Sequence, residues 1–352
     1  MSHQDGPRSR RDFLTAATAT IAAGALGSLA TPATAAQNSG TADSANQGRP
    51  RIGCTSWVFH DFKPGTDPTE AIEQIGRLGF EGIELILLGR NDITDFWTDA
   101  KIADLKSRLD KNKLKVSQFV IFQPVVEGLT STNPEVRKQN LDYFEAGCRI
   151  GRKLSAPMVN IVAPWARELS SPKGANSYLP RFYDLPNAKP GQKYHINIAA
   201  GFDWEALWQN FVESTKECLV RAKNQGMKFT LEHHTHTMIH DATSFLRLWD
   251  AVRDPDLGYN LDVGWTLSQR EYPPVAIQKT KRHLMNLHMR DVDGLVRKFV
   301  HIGQGVMDFQ AVVTALKQIG FNGYMDLEQD KHPGDMVETC RRYVAIMREC
   351  LA

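Results

Sequence analysis

From Arg51 onward, hydrophobic and polar positions follow two alternating rhythms. Short apolar runs bounded by Gly, Asn or Pro predict strands over residues 51–55, 82–86, 116–122, 158–162, 228–231, 259–263, 285–289 and 323–327. Between them, apolar residues recur at helical spacing. These stretches predict helices over 68–78, 100–111, 134–155, 204–224, 243–252, 274–283, 309–319 and 336–350. The first helix carries its own punctuation, with Asp67 as N-cap, Pro68 at the first position and Gly79 as the stop, and Asn133 caps the third. Strand and helix alternate throughout, and no glycine-rich loop follows the first strand. The pattern therefore predicts an α/β chain folded as a single (β/α)8 TIM barrel rather than a doubly wound open sheet.

One stretch breaks the rhythm. Residues 164–203 follow the fourth strand, where a barrel loop usually needs only about 2–6 residues. The stretch is rich in Pro and Gly but also carries Trp165, Arg167, Tyr178, Arg181, Phe182, Tyr183, Tyr194 and His195. It reads either as a lid that closes over the face where barrel chemistry occurs or as a crust that builds a contact with a second copy.

The N-terminus has the form of an address. Ser9-Arg10-Arg11-Asp12-Phe13-Leu14 is a twin-arginine pattern, and no further charge appears before Asp43. The intervening stretch is only weakly apolar, with Ile21, Leu26 and Leu29 as its larger residues, and too weak for a spanning helix. Ala33-Thr34-Ala35 then supplies a cleavage site. The expected organisation is a signal peptide over 1–35, a linker over 36–50 and the barrel over 51–352, with the twin-arginine translocase as partner and the periplasm or another exported location as destination. That route carries proteins already folded, which points to a cofactor inserted before export. The five cysteines are scattered without a CxxC pair, so neither a zinc ribbon nor a disulfide framework is expected. Formal net charge is +2 from 42 basic and 40 acidic side chains, which gives no pull toward nucleic acid or anionic lipid.

The predicted strand ends carry the chemistry. The fifth ends in Leu231-Glu232-His233-His234, the sixth in Asp262-Val263-Gly264-Trp265, the seventh in His288-Met289-Arg290-Asp291 and the eighth in Asp326-Leu327-Glu328. In a barrel these ends converge, and carboxylates are costly to bury alone. Glu232, Asp262, His288 and Glu328 are therefore expected to share one divalent cation, Mn²⁺ first, with Mg²⁺, Co²⁺, Fe²⁺ or Zn²⁺ as further options. Glu232 and Glu328 are the candidate catalytic bases. Strand parity aims His234 and His236 to the side of Glu232 and gives Arg290 the side of His288, so these three are candidate substrate contacts. An ion pair with Asp291 or Asp293 is the alternative for Arg290. Trp265 offers either a face for a sugar ring or simple packing. His233 points away and reads as structural, His240 as surface, and Glu84, placed at the end of the second strand, as a weaker candidate.

On these motifs the chain resembles the xylose isomerase-like barrel superfamily, in its sugar isomerase/epimerase branch. Gly82-Ile83-Glu84-Leu85, Leu231-Glu232-x-His234, Leu261-Asp262-Val263-Gly264, Leu287-His288-Met289-Arg290-Asp291, Gly303-Gln304-Gly305-Val306-Met307-Asp308-Phe309 and Leu327-Glu328 carry the likeness, over about residues 51–350. The resemblance implies that the metal set is Glu232, Asp262, His288 and Glu328. It also implies a substrate role for His234 and proton abstraction next to the carbonyl of a keto sugar or polyol derivative. Where the family often places a His three residues after the Asp ligand, this chain has Trp265. The same first step serves epimerisation, an inosose-type dehydration or elimination from a 3-keto glycoside. A non-catalytic sugar-binding barrel and a nuclease like endonuclease IV are the remaining readings, and charge and export disfavour the nuclease.

Overall fold

The computed structural model describes residues 48–164, 169–170, 191, 197–294, 298–329 and 334–352. Eight parallel strands, β1 (Arg51–Thr55), β2 (Gly82–Leu87), β3 (Lys115–Ile121), β4 (Met158–Val162), β5 (Lys228–Glu232), β6 (Leu257–Asp262), β7 (Leu284–Met289) and β8 (Tyr324–Leu327), close into a barrel in chain order. The main connecting helices are α1 (Thr69–Arg77), α2 (Asp99–Lys111), α3 (Pro134–Lys153), α4 (Trp204–Asn224), α5 (Ala242–Val252), α6 (Pro273–Thr280), α7 (Phe309–Gln318) and α8 (Met336–Leu351). The (β/α)8 reading is thus correct. Among the described residues, no helix is long and apolar enough to cross a membrane.

Predicted element ends shift where tertiary contacts compete with local pattern. The helix expected to reach residue 283 ends at Thr280. The His283 carbonyl is recruited by the sheet, accepting from the Tyr259 amide at 2.7 Å. The expected cap of α3 is present, with the Asn133 side chain accepting from the Glu135 amide.

The strands are buried on both faces, but the two faces differ in chemistry. Phe229, Leu231, Tyr259, Leu261 and Leu287 are fully buried beneath helices. There Phe229 meets Phe144 with ring centroids 5.0 Å apart, and Tyr259 meets Phe245 at 4.4 Å. The barrel interior is polar instead: Glu84, Gln118, Asn160, Thr230, Asn260, Asn286 and Asp326 are all wholly buried. Contacts between non-neighbouring strands fix their inward aim, as when Thr230 of β5 donates to Gln118 of β3 at 3.0 Å. Gly53 of β1 is required here, because a Cβ at this position would stand 1.8 Å from Asp326 Oδ1.

The Gly303-Gln304-Gly305 run is a structural nest. Asp291 Oδ2 accepts from the Gly303 and Gly305 amides, both at 2.9 Å, and its Oδ1 accepts from Val292 at 2.9 Å and Met307 at 3.0 Å. Gly305 has no room for a side chain, since a Cβ would lie 2.2 Å from both Asp291 Oδ1 and the Val292 carbonyl.

The insertion does follow β4. Its described parts include Leu169–Ser170, paired antiparallel with Asn197–Ile198. Trp165, Arg167, Tyr178, Arg181, Phe182, Tyr183, Tyr194 and His195, the residues behind the lid-or-interface expectation, lie outside the described residues. So do residues 1–47, which include the stretch expected as a signal peptide and most of the one expected as a linker.

Candidate active site

Four strand ends deliver four ligand-type side chains to one place. Glu232 is the last residue of β5, His288 the penultimate residue of β7, and Glu328 follows the end of β8. Asp262 ends β6 and also caps the short helix Val263–Ser268. Its Oδ1 accepts from the Trp265 amide at 2.8 Å, which leaves Oδ2 for the interior. Each of the four residues is buried and offers one ligand atom, and these atoms all lie within 4.8 Å of one another. His288 Nδ1 stands 3.1 Å from Glu232 Oε1 and 2.8 Å from Glu328 Oε2.

The neighbouring candidates also converge, for reasons partly different from those expected. The chain after Glu232 turns instead of staying extended, with the Thr237 amide bonded to the His234 carbonyl at 3.1 Å. His234, just ahead of that turn and on the same side as Glu232, sets its Nε2 3.0 Å from Glu232 Oε1. His236 and Trp265 line the same side, their rings 5.4 Å and 4.7 Å from that of His234. Trp265 is 5% exposed and packs edge-on to Phe299, so it forms the wall behind His234. Arg290 does not pair with Asp291 or Asp293. Asp291 is taken by backbone amides, and the guanidinium turns inward. Its Nε lies 2.9 Å from Asp262 Oδ2 and 3.0 Å from Glu328 Oε2, and Nη2 also contacts Glu328. His233 is structural as expected, buried between the Tyr259 and Thr266 hydroxyls at 2.8 and 3.2 Å.

Two residues matter more than the sequence pattern indicates. Trp57, in the short 3₁₀ helix Ser56–Val58 after β1, donates its indole N–H to Glu328 Oε1 at 3.3 Å. Its ring packs on Phe62, which continues to Phe122, so an aromatic wall borders the cluster. No local motif marks Trp57; only its position just beyond a strand end hints at the site. Glu84 is not at the end of its strand but is the third residue of β2, and both its carboxylate oxygens lie 3.0 Å from His288 Nε2.

Electrostatically the site holds more negative than positive charge. Among the described residues, Glu84, Glu232, Asp262 and Glu328 face His288, Arg290 and His234 as basic partners. Burial pushes Glu84 up to about 8 despite the pull of His288. Burial also pushes Asp262 up to about 7, against Arg290 and with Glu328 and Glu232 adding to the rise. Burial raises Glu232 as well, but the charge and close approach of His288 and the hydrogen bond from His234 outweigh it and hold the group well below its usual range. At Glu328 burial is outweighed by Arg290 and His288, which bring it down to about 2. His288 loses by burial and gains more from Glu232, Glu84 and Glu328, so its imidazole is held well above its ordinary value.

The residues fit a divalent cation. A dication offsets the carboxylate surplus, and two of the atoms it would use lack a well-aligned hydrogen bond. Asp262 Oδ2 and His288 Nδ1 are buried without a hydrogen bond of acceptable geometry, although charged neighbours are close. Three carboxylates with one imidazole favour the harder divalent ions over a structural zinc.

Residues 72–349 match the family model described as the xylose isomerase-like TIM barrel. Inosose dehydratase of Serratia proteamaculans is 25% identical over 162 residues, which are 39% of this chain and 54% of that protein. The chain thus spans about half the length of the curated inosose dehydratases it matches. D-psicose 3-epimerase of Clostridium cellulolyticum superposes with a TM-score of 0.66 at 17% identity, covering 86% of this chain and 99% of that one. The 3-keto-D-glucoside 4-epimerase of E. coli superposes with a TM-score of 0.64 at 16% identity, covering 86% and 100%. At these identities the two structures speak to the fold alone.

Proposed function

The chain belongs to the xylose isomerase-like TIM barrel family, and from that premise we propose that it is a metal-dependent sugar isomerase or epimerase. The reading takes a keto sugar or polyol derivative as substrate, with proton abstraction next to its carbonyl as the reaction. The observation that carries it is the buried convergence of Glu232, Asp262, His288 and Glu328 at the C-terminal ends of four consecutive barrel strands. When bound there, a divalent ion, manganese by preference, supplies Lewis acidity toward vicinal substrate oxygens.

The rest is done by side chains. Glu232 and Glu328 flank His288 Nδ1 and act as the two bases, one taking the proton α to the carbonyl and the other returning it. His234 orients the Glu232 carboxylate, while Arg290 and Trp57 orient that of Glu328. His234, His236, Trp265 and Arg290 form the polar and aromatic lining that meets the sugar.

A lyase outcome on the same site is the second reading, as an inosose-type dehydratase or a 3-keto-glycoside lyase or hydratase. It is favoured by the sequence relationship to inosose dehydratases, and it shares the first proton transfer. The twin-arginine pattern of Arg10 and Arg11 supports export before the enzyme meets its substrate, and hence unphosphorylated sugars.

The test is to strip the protein with EDTA, restore Mn²⁺ and incubate it in D₂O with ketohexoses, keto-inositols and 3-keto glycosides. NMR should show metal-dependent deuterium at the carbon beside the carbonyl. Absence of exchange in every substrate, with the metal bound, refutes the enzymatic reading.

A further inference from the structure

We propose that Glu84 is a positioning residue for the metal centre: it accepts the Nε2 proton of His288 and so holds that ring with Nδ1 turned toward Glu232, Asp262 and Glu328. The assignment rests on the metal-site reading above and adds to it a residue outside the ligand set.

A histidine can ligate only through a nitrogen that carries no proton, and the hydrogen bond at the other nitrogen decides which one that is. In this barrel the two nitrogens have contrasting surroundings. Nε2 lies 3.0 Å from both Glu84 oxygens, an approach in which the ring N–H points at the carboxyl group. Asn260 Nδ2 lies farther from the same nitrogen, at 3.2 Å, while its Oδ1 faces Asn286, so the paired Glu84 contacts decide the place of the proton. Nε2 is therefore the protonated nitrogen of the ligating ring. Nδ1 faces Glu232 and Glu328 without a hydrogen bond of its own.

Glu84 is itself held in place from below the site. Gln118 Nε2 donates to Glu84 Oε2 at 2.7 Å, Thr230 donates to Gln118 Oε1 at 3.0 Å, and the Thr230 hydroxyl also lies 3.1 Å from Asn160 Oδ1. This brace links β2, β3, β5 and β4, so the carboxylate is fixed by four strands. The backbone shows the same arrangement independently. The β2–β3 register pairs Ile83 with Val116 but Leu85 with Phe119, so Glu84 opposes both Ser117 and Gln118. Such a bulge re-aims side chains, and here Glu84 and Gln118 both point into the barrel. Glu84 is wholly buried and touches no open space, so it acts through His288 and not on substrate.

The experiment compares wild type with Glu84→Gln, which keeps shape and one acceptor oxygen, and Glu84→Met, which removes the acceptor. Circular dichroism and thermal melts establish folding, and Mn²⁺ affinity is measured by calorimetry on the EDTA-stripped full chain. Glu84→Met should bind Mn²⁺ about 10–100-fold more weakly, with Glu84→Gln between it and wild type. On ¹⁵N-histidine-labelled, Mg²⁺-loaded protein, His288 should show a protonated Nε2 in wild type and a mixture of tautomers in Glu84→Met. If Glu84→Met does not fold, the affinity and ¹⁵N shifts of Glu84→Gln decide. Variants that match wild type in both readouts overturn the role of Glu84 while leaving the metal site standing. Wild type that takes up no Mn²⁺ overturns the metal-site reading itself, and the assignment falls with it.

Discussion

Replacing Asp291 by alanine should cost several kcal/mol of stability, although the residue lies beside the chemistry rather than in it. Its carboxylate accepts four backbone amides, from Val292, Gly303, Gly305 and Met307, at 2.9–3.0 Å. A hydrogen bond to a charged group nets about 1.5–3 kcal/mol, so a naive total is about 6–12 kcal/mol. That total overshoots, because Gly303 and Gly305 are exposed and water can serve their amides once the carboxylate is gone. The bonds to Val292 and Met307 are buried and have no such substitute. The expected loss is therefore about 3–5 kcal/mol, read as a fall in urea midpoint at unchanged m-value. Asp291→Asn gives a sharper check. Asparagine has one acceptor oxygen, and whichever way its amide turns, its NH₂ must face two backbone donors. It should recover no more than half of the loss. A cost below about 1 kcal/mol for the alanine variant, or full recovery by asparagine, refutes the nest as the anchor of this loop.

Glu232→Gln and Glu328→Gln should each lower turnover by at least about 10²-fold while the fold survives, with a parallel Mn²⁺ titration separating lost basicity from lost ligation; unchanged turnover in either removes that residue as a base. Gly53→Ala should destabilise the barrel by about 1–3 kcal/mol or more through the clash with Asp326, and a melting temperature equal to wild type would contradict the packing argument. The five cysteines are buried thiols, and burial raises the Cys148 and Cys218 groups far above their ordinary range. The native protein should therefore resist thiol reagents at pH 8 and show five free thiols in denaturant; rapid labelling of the folded state would count against the core described. Arg10→Lys with Arg11→Lys should block export, and wild type should carry Ala36 as its mature N-terminus; an uncleaved, wholly cytoplasmic wild type argues against the signal.

The architecture and the four-residue cluster were legible in the linear pattern, because both follow from local periodicity. Alternating apolar runs can be buried only by pairing and by covering helices, and eight of them in sequence close a barrel. Closure brings successive strand ends together, so Glu232, Asp262, His288 and Glu328 met as their positions required. What the tertiary structure alone decided were the partners of these groups. Glu84 and His288 are 204 positions apart, and their contact depends on a register shift between β2 and β3 that no sequence period announces. Trp57 reaches Glu328 across 271 positions from the short 3₁₀ helix Ser56–Val58. Arg290 turned inward because Asp291, the neighbour that could have paired with it, had been claimed by backbone amides from residues 292–307. Periodicity is a property of neighbours along the chain. Charge pairing, tautomer and orientation belong to neighbours in space, and in this barrel those neighbours are chosen by strand register and loop closure.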